Sequence, residues 1–127
     1  MTGSLDQPEG RQLVVLAVDD DALVQMNTVA MLEDLGHRVV EAANGAEALE
    51  AIRMHPDIQI VVTDFAMPKM TGRDLAIAIA KERPGLPVVL ATGYAELPSG
   101  EPVDAERLPK PFGQEELDRA IKRALQR

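Results

Sequence analysis

The sequence has no cysteine, no tryptophan and very few aromatic residues, namely one tyrosine and two phenylalanines in 127 residues. The absence of cysteine excludes a disulfide framework, a thiolate zinc site and a cysteine nucleophile. Because aromatic residues make up only 2% of a chain that is 46% apolar, a hydrophobic core must be built from Val, Leu, Ile, Ala and Met. The length is that of one ordinary domain.

Positive charge is also scarce, since 13 Lys and Arg residues stand against 21 Asp and Glu residues, for a formal net charge of −8. This balance argues against binding of a nucleic-acid backbone as the main activity. The chain contains no apolar run of about 18 residues, the length that a transmembrane helix needs. The N-terminus lacks the charged-then-apolar pattern of a signal peptide. We therefore expect a cytoplasmic protein with no direct nucleic acid binding and no membrane insertion.

What the sequence does contain is an alternation of two kinds of segment after residue 12. Residues 1–12 are polar and include Gly and Pro, and we expect a flexible tail or linker there, followed by one domain over residues 13–127. Short apolar runs rich in β-branched residues predict strands at Leu13–Val18, Arg38–Ala42, Ile58–Thr63 and Val88–Ala91, with a weaker fifth at Arg107–Leu108. Stretches with helical spacing lie between or after them, at Leu23–Leu35, Gly45–Met54, Gly72–Glu82 and Leu117–Leu125.

The alternation of strands and helices predicts an α/β fold, with a parallel sheet covered by helices on both faces. In the first helix the apolar residues Leu23, Met26, Ala30 and Leu35 lie toward one side. The methionines are expected to pack in the core and loops. Between the fourth and fifth strands, the prolines and glycines of Gly93–Glu106 predict that the fourth helix is short or disordered.

Side chains that suit catalysis follow four of the predicted strands. Asp19 and Asp20 come after the first strand, Asp64 ends the third, Thr92 ends the fourth and Lys110 follows the fifth. Right-handed crossovers bring the carboxyl ends of parallel strands to one edge of the sheet. Three carboxylates pressed together there repel one another, and a hard divalent cation such as Mg²⁺ relieves the repulsion. The sequence therefore predicts a magnesium site, with Asp19 and Asp20 as the metal pair.

These residue types fit the transfer of a phosphoryl group onto a carboxylate. Asp64 stands alone at the end of a central strand and is the candidate nucleophile, which would form an acyl phosphate. The cation and Lys110 would neutralise charge on the phosphoryl oxygens, and the hydroxyl of Thr92 would donate a hydrogen bond to another. Asp21 is expected to cap the first helix. His37 and His55 are expected to be ordinary surface residues away from this edge.

In order and spacing, these motifs resemble the CheY-like receiver domain of bacterial two-component response regulators. The resemblance runs over about Leu13–Leu125, nearly the whole chain. Thr92-Gly93-Tyr94-Ala95 is similar to the form found in hybrid histidine kinases and some single-domain regulators. The other markers are Val18-Asp19-Asp20-Asp21, Ala43-Asn44-Gly45, Val62-Thr63-Asp64, Met67-Pro68-Lys69-Met70-Thr71-Gly72, Ala91-Thr92-Gly93 and Leu108-Pro109-Lys110-Pro111-Phe112.

The resemblance implies a flavodoxin-like (βα)5 fold, a doubly wound parallel five-stranded sheet in the order 2-1-3-4-5. It implies that Asp20 and Asp64 bind Mg²⁺ directly, that Asp19 acts through water, and that the backbone carbonyl of Ala66 completes the protein's ligands. It also implies that the phosphoryl group on Asp64 is contacted by Thr92 and Lys110, the latter preceding a cis peptide bond to Pro111.

The implied function is that of a phosphoacceptor in a two-component phosphorelay. A sensor histidine kinase and/or a histidine phosphotransfer protein would donate the phosphoryl group to Asp64. Such a domain catalyses its own aspartyl phosphorylation and dephosphorylation and is not an enzyme acting on an external metabolite. We expect a monomer or weak dimer.

Two residues depart from the pattern of many receivers. Arg107 stands three positions before Lys110, where an aromatic residue commonly couples to the hydroxyl that contacts the phosphoryl group. Tyr94, two residues after Thr92, either takes over part of that role or covers the site. The sequence leaves both alternatives open.

Two other functions compete with phosphoacceptance. One is a phosphorylation-independent, receiver-like protein-binding module, against which the complete set of Asp64, Thr92, Lys110 and the acidic pair counts. The other is a Mg²⁺-dependent phosphohydrolase with an aspartyl nucleophile. Such enzymes normally carry an Asp-x-Asp motif and a substrate cap, whereas Asp64-Phe65-Ala66 lacks the second aspartate and the chain has no room for a cap.

Overall fold

The computed structural model describes residues 12–93 and 105–126, and over these residues strands and helices alternate along most of the chain. All strand pairs are parallel, and the sheet order is β2-β1-β3-β4-β5, as expected from the resemblance. The elements are β1 (Val14–Val18), α1 (Ala22–Asp34), β2 (Arg38–Ala42), α2 (Gly45–Met54), β3 (Ile60–Asp64), α3 (Gly72–Glu82), β4 (Val88–Thr92), β5 (Glu106–Pro109) and α4 (Gln114–Leu125).

Successive side chains of β1 enter two separate hydrophobic clusters, one on each face of the sheet. Leu16 and Val18 belong to the cluster that also contains buried residues of α2 and α3. Val15 and Ala17 belong to the cluster that contains buried residues of α1 and α4. Every residue of β3 and β4 is buried, as expected for central strands with both faces covered. The doubly wound α/β architecture is confirmed.

Side-chain caps start three helices at the carboxyl edge of the sheet. Asp21 accepts hydrogen bonds from the backbone N–H groups of Leu23 and Val24 at 3.0 and 3.2 Å, which confirms its predicted capping role. Asn44 caps α2, and Thr71 caps α3 in a capping box. Each cap satisfies backbone donors that the helix itself leaves unpaired, so the loops next to the strand ends are fixed.

The prediction that the methionines pack in the core and loops is wrong for Met26 of α1 and for Met54 of α2, which is 68% exposed. Leu23 and Met26 are 76% and 67% exposed, whereas the buried residues are Gln25, Thr28, Val29 and Leu32. Apolar residues occur all round this helix, because no charged residue appears in it before Glu33. A helix without a polar face gives a periodicity argument no basis for choosing its buried side.

The two histidines differ in burial. His55 is exposed, as expected, but His37 is buried, so the surface prediction is wrong for it. The Nδ1 atom of His37 accepts a hydrogen bond from the backbone N–H of Leu13 at 3.1 Å. Burial lowers the pKa of His37, and the nearby Asp118 opposes this shift. His37 therefore acts as a neutral acceptor at the edge of the sheet opposite the strand carboxyl ends.

Three expectations fall wholly or mostly outside the described residues. The flexible tail or linker is expected at residues 1–12, of which only Gln12 is described. The short or disordered fourth helix is expected within Gly93–Glu106, of which residues 94–104, including Tyr94, are not described, and Glu106 belongs to β5. Within residues 12–93 and 105–126, no helix is long and apolar enough to cross a membrane.

Gly72, the first residue of α3, packs against the backbone at the end of β3. Its N–H donates to the carbonyl oxygen of Phe65 at 2.8 Å. A methyl group at this position would meet the backbone oxygen of Asp64, the side chain of Leu90 and, at 2.9 Å, the Cα atom of Phe65. The close approach of α3 thus depends on a residue without a side chain.

Gly72→Ala is expected to lower the free energy of unfolding by about 1–3 kcal/mol, the usual effect of overpacking, because backbone atoms cannot rotate aside. The matched control is Gly45→Ala, at the first residue of α2. There the added methyl group meets the flexible side chain of Met70, so we expect a smaller loss. Urea unfolding followed by circular dichroism measures both, and equal losses would contradict the argument.

Candidate functional site

The carboxyl ends of β1, β3, β4 and β5 bring the predicted site residues to one edge of the sheet. Asp19, Asp64 and Thr92 are buried, Asp20 is exposed and Lys110 is half-buried. One carboxylate oxygen each from Asp19, Asp20 and Asp64 lies within 4.8 Å of the others. The clustering of carboxylates expected from the strand ends is therefore present.

Backbone contacts fix the loop that carries the first two aspartates. The N–H of Asp19 donates to the carbonyl oxygen of Ala42, at the end of β2, at 3.2 Å. Oδ1 of Asp19 accepts a hydrogen bond from the N–H of Asp21 at 2.8 Å, and Asp21 in turn caps α1. This arrangement points Asp19 inward and leaves Asp20 toward solvent.

Asp64 is held at the end of the central strand and paired with a lysine. Nζ of Lys110 donates a hydrogen bond to Oδ1 of Asp64 and forms an ion pair with it. The backbone N–H of Lys110 donates to the carbonyl oxygen of Thr92 at 2.8 Å, which ties the lysine to the end of β4. The peptide bond from Lys110 to Pro111 is cis, as expected.

The local electrostatics make the carboxylates a suitable set of ligands for a cation. The pKa of Asp19 is raised from 3.8 to about 6. Burial is the largest cause and the charges of Asp64 and Asp20 act in the same direction, while the N–H of Asp21 and the charge of Lys110 oppose the rise. A cation placed between the carboxylates would remove this penalty on ionised Asp19. Three convergent carboxylate oxygens are the hard donors that divalent cations such as Mg²⁺ take, so the residues present could hold such an ion.

Three further residues singled out in the sequence lie on β4, on β5 and on the loop after β3. Thr92 lies buried at the end of β4, in register with Pro109 of β5. Ala66 is exposed on the loop after β3, two residues beyond Asp64. Arg107 is an exposed residue of β5.

Sequence reasoning did not identify Gln25 as part of this site. Gln25 is buried and borders two spaces. One is a small cavity that Asp64 and Lys110 also line. The other is an open groove of about 380 Å³ beside Asp19 and Asp20. The side-chain amide of Gln25 donates hydrogen bonds to backbone carbonyls at the ends of β1 and β2. The available signal was its place near the start of a helix that directly follows the acidic residues.

Comparison with known proteins identifies the family. The profile of the response regulator receiver domain matches residues 15–122. The chain is 37% identical over 118 residues to the sensor kinase CckA of Brucella abortus (strain 2308), covering 89% of this chain but 12% of that protein. It is 33% identical over 115 residues to the response regulator receiver protein CpdR of the same organism, covering 87% of this chain and 95% of that one.

Solved structures agree with this match. A response regulator receiver domain protein from Clostridium thermocellum superposes with a TM-score of 0.81 at 29% identity, over 90% of this chain and 94% of that one. The chemotaxis protein CheY4 of Vibrio cholerae superposes with a TM-score of 0.79 at 27% identity, over 91% and 100% of the two chains.

When no divalent cation is present, raising the pH is expected to lower the free energy of unfolding because Asp19 ionises. The folded-state pKa of about 6 lies above the ordinary value of 3.8, so the folded protein binds more protons between these values. The contribution of Asp19 to the free energy of unfolding is therefore fully present below about pH 4 and is lost as the pH rises through about 6. The loss is about 3 kcal/mol, at about 1.36 kcal/mol per pKa unit.

Asp19→Asn keeps an oxygen for the N–H of Asp21 but carries no charge. In EDTA the variant should be more stable than the wild type at pH 7.5, and this advantage should shrink at pH 4. Urea unfolding at both pH values measures the difference. An advantage that does not change with pH would contradict the assignment.

Proposed function

The chain belongs to the response regulator receiver domain family, and from this we propose that Asp64 accepts a phosphoryl group from a phosphohistidine in a Mg²⁺-dependent reaction. A receiver domain is not a classical enzyme. The observation that carries the proposal is the burial of Asp64 at the end of the central strand, beside two further carboxylates and paired with Lys110. This is the arrangement that acyl phosphate formation needs.

We propose the roles of the metal-binding residues from the resemblance to receiver domains. Asp20 and Asp64 would be direct ligands, Asp19 would act through water, and the carbonyl of Ala66 would be a further ligand. Mg²⁺ would neutralise charge on the phosphoryl oxygens and orient them. Burial of Asp19 and its bond to the N–H of Asp21 support its less direct role, because one of its oxygens is already used.

The reaction transfers a phosphoryl group from the imidazole of the donor to the carboxylate of Asp64. A carboxylate oxygen of Asp64 forms a bond to phosphorus while the bond from phosphorus to the donor's imidazole nitrogen breaks, and the imidazole takes up a proton. Lys110 is placed to compensate charge on the transferred group, since its Nζ already lies at Oδ1 of Asp64. The hydroxyl of Thr92, at the end of the neighbouring strand, would donate a hydrogen bond to a phosphoryl oxygen.

A receiver domain implies a histidine kinase as partner in general. The finer proposal is a sensor kinase and/or a histidine phosphotransfer protein, and the two relatives named above include a sensor kinase and a response regulator receiver protein. We further propose that residues 13–127 form the receiver domain after a tail or linker at 1–12, and that it works in the cytoplasm as a monomer or weak dimer.

The exposed apolar end of α1 is the proposed docking surface for the phosphohistidine donor. Leu23 and Met26 are strongly exposed, and Met26 lines the groove that contains Asp19 and Asp20. A donor histidine that reaches Asp64 must approach this edge of the sheet, so the donor protein would cover the adjoining turn of α1. Exposed apolar residues grouped beside a functional site are typical of such an interface.

The first prediction of this proposal concerns phosphorylation by a small donor. Incubation with acetyl phosphate and Mg²⁺ should add one phosphoryl group, measured by intact-mass spectrometry. Asp64→Asn should abolish the gain with little loss of fold, and Asp20→Asn should weaken Mg²⁺ binding. The matched control is Asp57→Asn, an exposed aspartate before β3, which should be phosphorylated normally.

Some receivers are not phosphorylated by small-molecule donors. If acetyl phosphate gives no reaction, the experiment is therefore repeated with phosphorylated histidine kinases. Failure with both kinds of donor would leave the phosphorylation-independent binding module as the function. Unchanged Mg²⁺ affinity in Asp20→Asn would overturn the metal assignment.

The second prediction separates docking from chemistry. Met26→Gln, which removes the apolar contact without adding charge beside Asp19 and Asp20, should slow phosphotransfer from a histidine kinase by about tenfold, the scale of losing one apolar contact at a binding surface. The rate with acetyl phosphate should stay nearly unchanged. Met54→Gln is the matched control, because Met54 is 68% exposed at the far end of α2. Equal slowing by both substitutions, or slowing with acetyl phosphate as well, would contradict docking on α1.

A further inference from the structure

Gln25 joins the start of α1 to the carboxyl ends of two strands. The residue is 8% exposed. Its Nε2 donates to the carbonyl oxygen of Ala17 in β1 at 3.0 Å and to that of Ala42 in β2 at 3.1 Å. The same oxygen of Ala42 accepts the hydrogen bond from the N–H of Asp19. The amide of Gln25 therefore meets the backbone that carries the acidic residues.

The hydrogen bond from Nε2 of Gln25 to the carbonyl oxygen of Ala17 closes the β1–α1 connection into a loop. Within this loop lie three consecutive aspartates, 19–21. Like charges on neighbouring residues repel one another and favour a more open loop. Asp21 is held by its capping bonds, whereas Asp19 and Asp20 converge on Asp64. The side chain of Gln25 holds the two ends of the loop together against this repulsion.

Stability alone does not account for a glutamine at this position. The Oε1 atom of Gln25 is buried and accepts no hydrogen bond from the described residues. An unpaired buried acceptor costs free energy that an apolar side chain of similar shape would not cost. Gln25 also lines both the small cavity beside Asp64 and the groove beside Asp20.

We propose that Gln25 is a positioning residue for the cation site, which fixes the β1–α1 loop so that Asp19 and Asp20 keep the geometry a divalent cation requires. The inference rests on the proposed function, because the cation is the Mg²⁺ of that reaction. Mg²⁺ demands near-octahedral geometry, so small displacements of its ligands matter. Residues that orient metal ligands without touching the metal act through this requirement.

The test uses Gln25→Met in the full chain, which keeps the length of the side chain but donates no hydrogen bond. The Kd for Mg²⁺, measured by calorimetric titration, should rise about tenfold, as for other residues that orient ligands. In the metal-free protein, the amide hydrogens of Asp19 and Asp21 should exchange with solvent faster than in the wild type. Gln25→Asn, whose amide is one methylene too short to reach both carbonyls, should show the same changes and serves if Gln25→Met does not fold.

Val29→Ala is the matched control, because Val29 is a buried residue of the same helix that packs in the hydrophobic cluster. It should lower the free energy of unfolding but leave the Kd for Mg²⁺ unchanged. If the Gln25 variants lose stability while their Kd stays at the wild-type value, Gln25 is merely structural and the inference is overturned. If the wild type itself binds no Mg²⁺, the proposed function fails, and this inference fails with it.

Discussion

The repulsion among carboxylates gathered at one edge of the sheet is the constraint on which the rest of the site depends. Parallel strands deliver Asp19, Asp20 and Asp64 to the same place, and the pKa of Asp19 is raised to about 6, first by burial and in smaller part by the charges of Asp64 and Asp20. Lys110 compensates part of this charge through its ion pair with Asp64. The helix caps and the amide of Gln25 restrain the backbone around the acidic residues. The edge is thus held in a charged arrangement that favours a cation.

Polar groups are in different environments at the two edges of the sheet. At the amino edge, buried His37 is kept neutral and accepts a backbone hydrogen bond, so it adds no charge. At the carboxyl edge, carboxylates stay close together and the buried amide oxygen of Gln25 finds no hydrogen-bond donor among residues 12–93 and 105–126. Local conflicts of this kind are expected at functional sites, where stability is given up for chemistry. The hydrophobic clusters on both faces offset the loss.

Much of this architecture could be predicted from the sequence because it depends on strong local signals. The apolar run Ile58–Thr63 indicates a buried strand, and Asp64 directly after it indicates the site. The structure has this strand at Ile60–Asp64. The order of the strands came from the resemblance, since periodicity does not determine which strands are neighbours. The buried face of α1 was not predictable, because a helix that is apolar all round offers two equivalent sides. Gln25 was missed for a related reason, as a polar residue in a helix is usually expected to face solvent.

The absence of charge on the exposed part of α1 has a consequence for how this domain discriminates between phosphohistidine donors. Between Ala22 and Leu32 the helix carries no charged side chain. If the donor docks there, as proposed, these residues of α1 form no salt bridge with it. Discrimination between the cognate donor and other kinases on this face then depends on the shape of the contact, with mismatched side chains excluding the wrong donor.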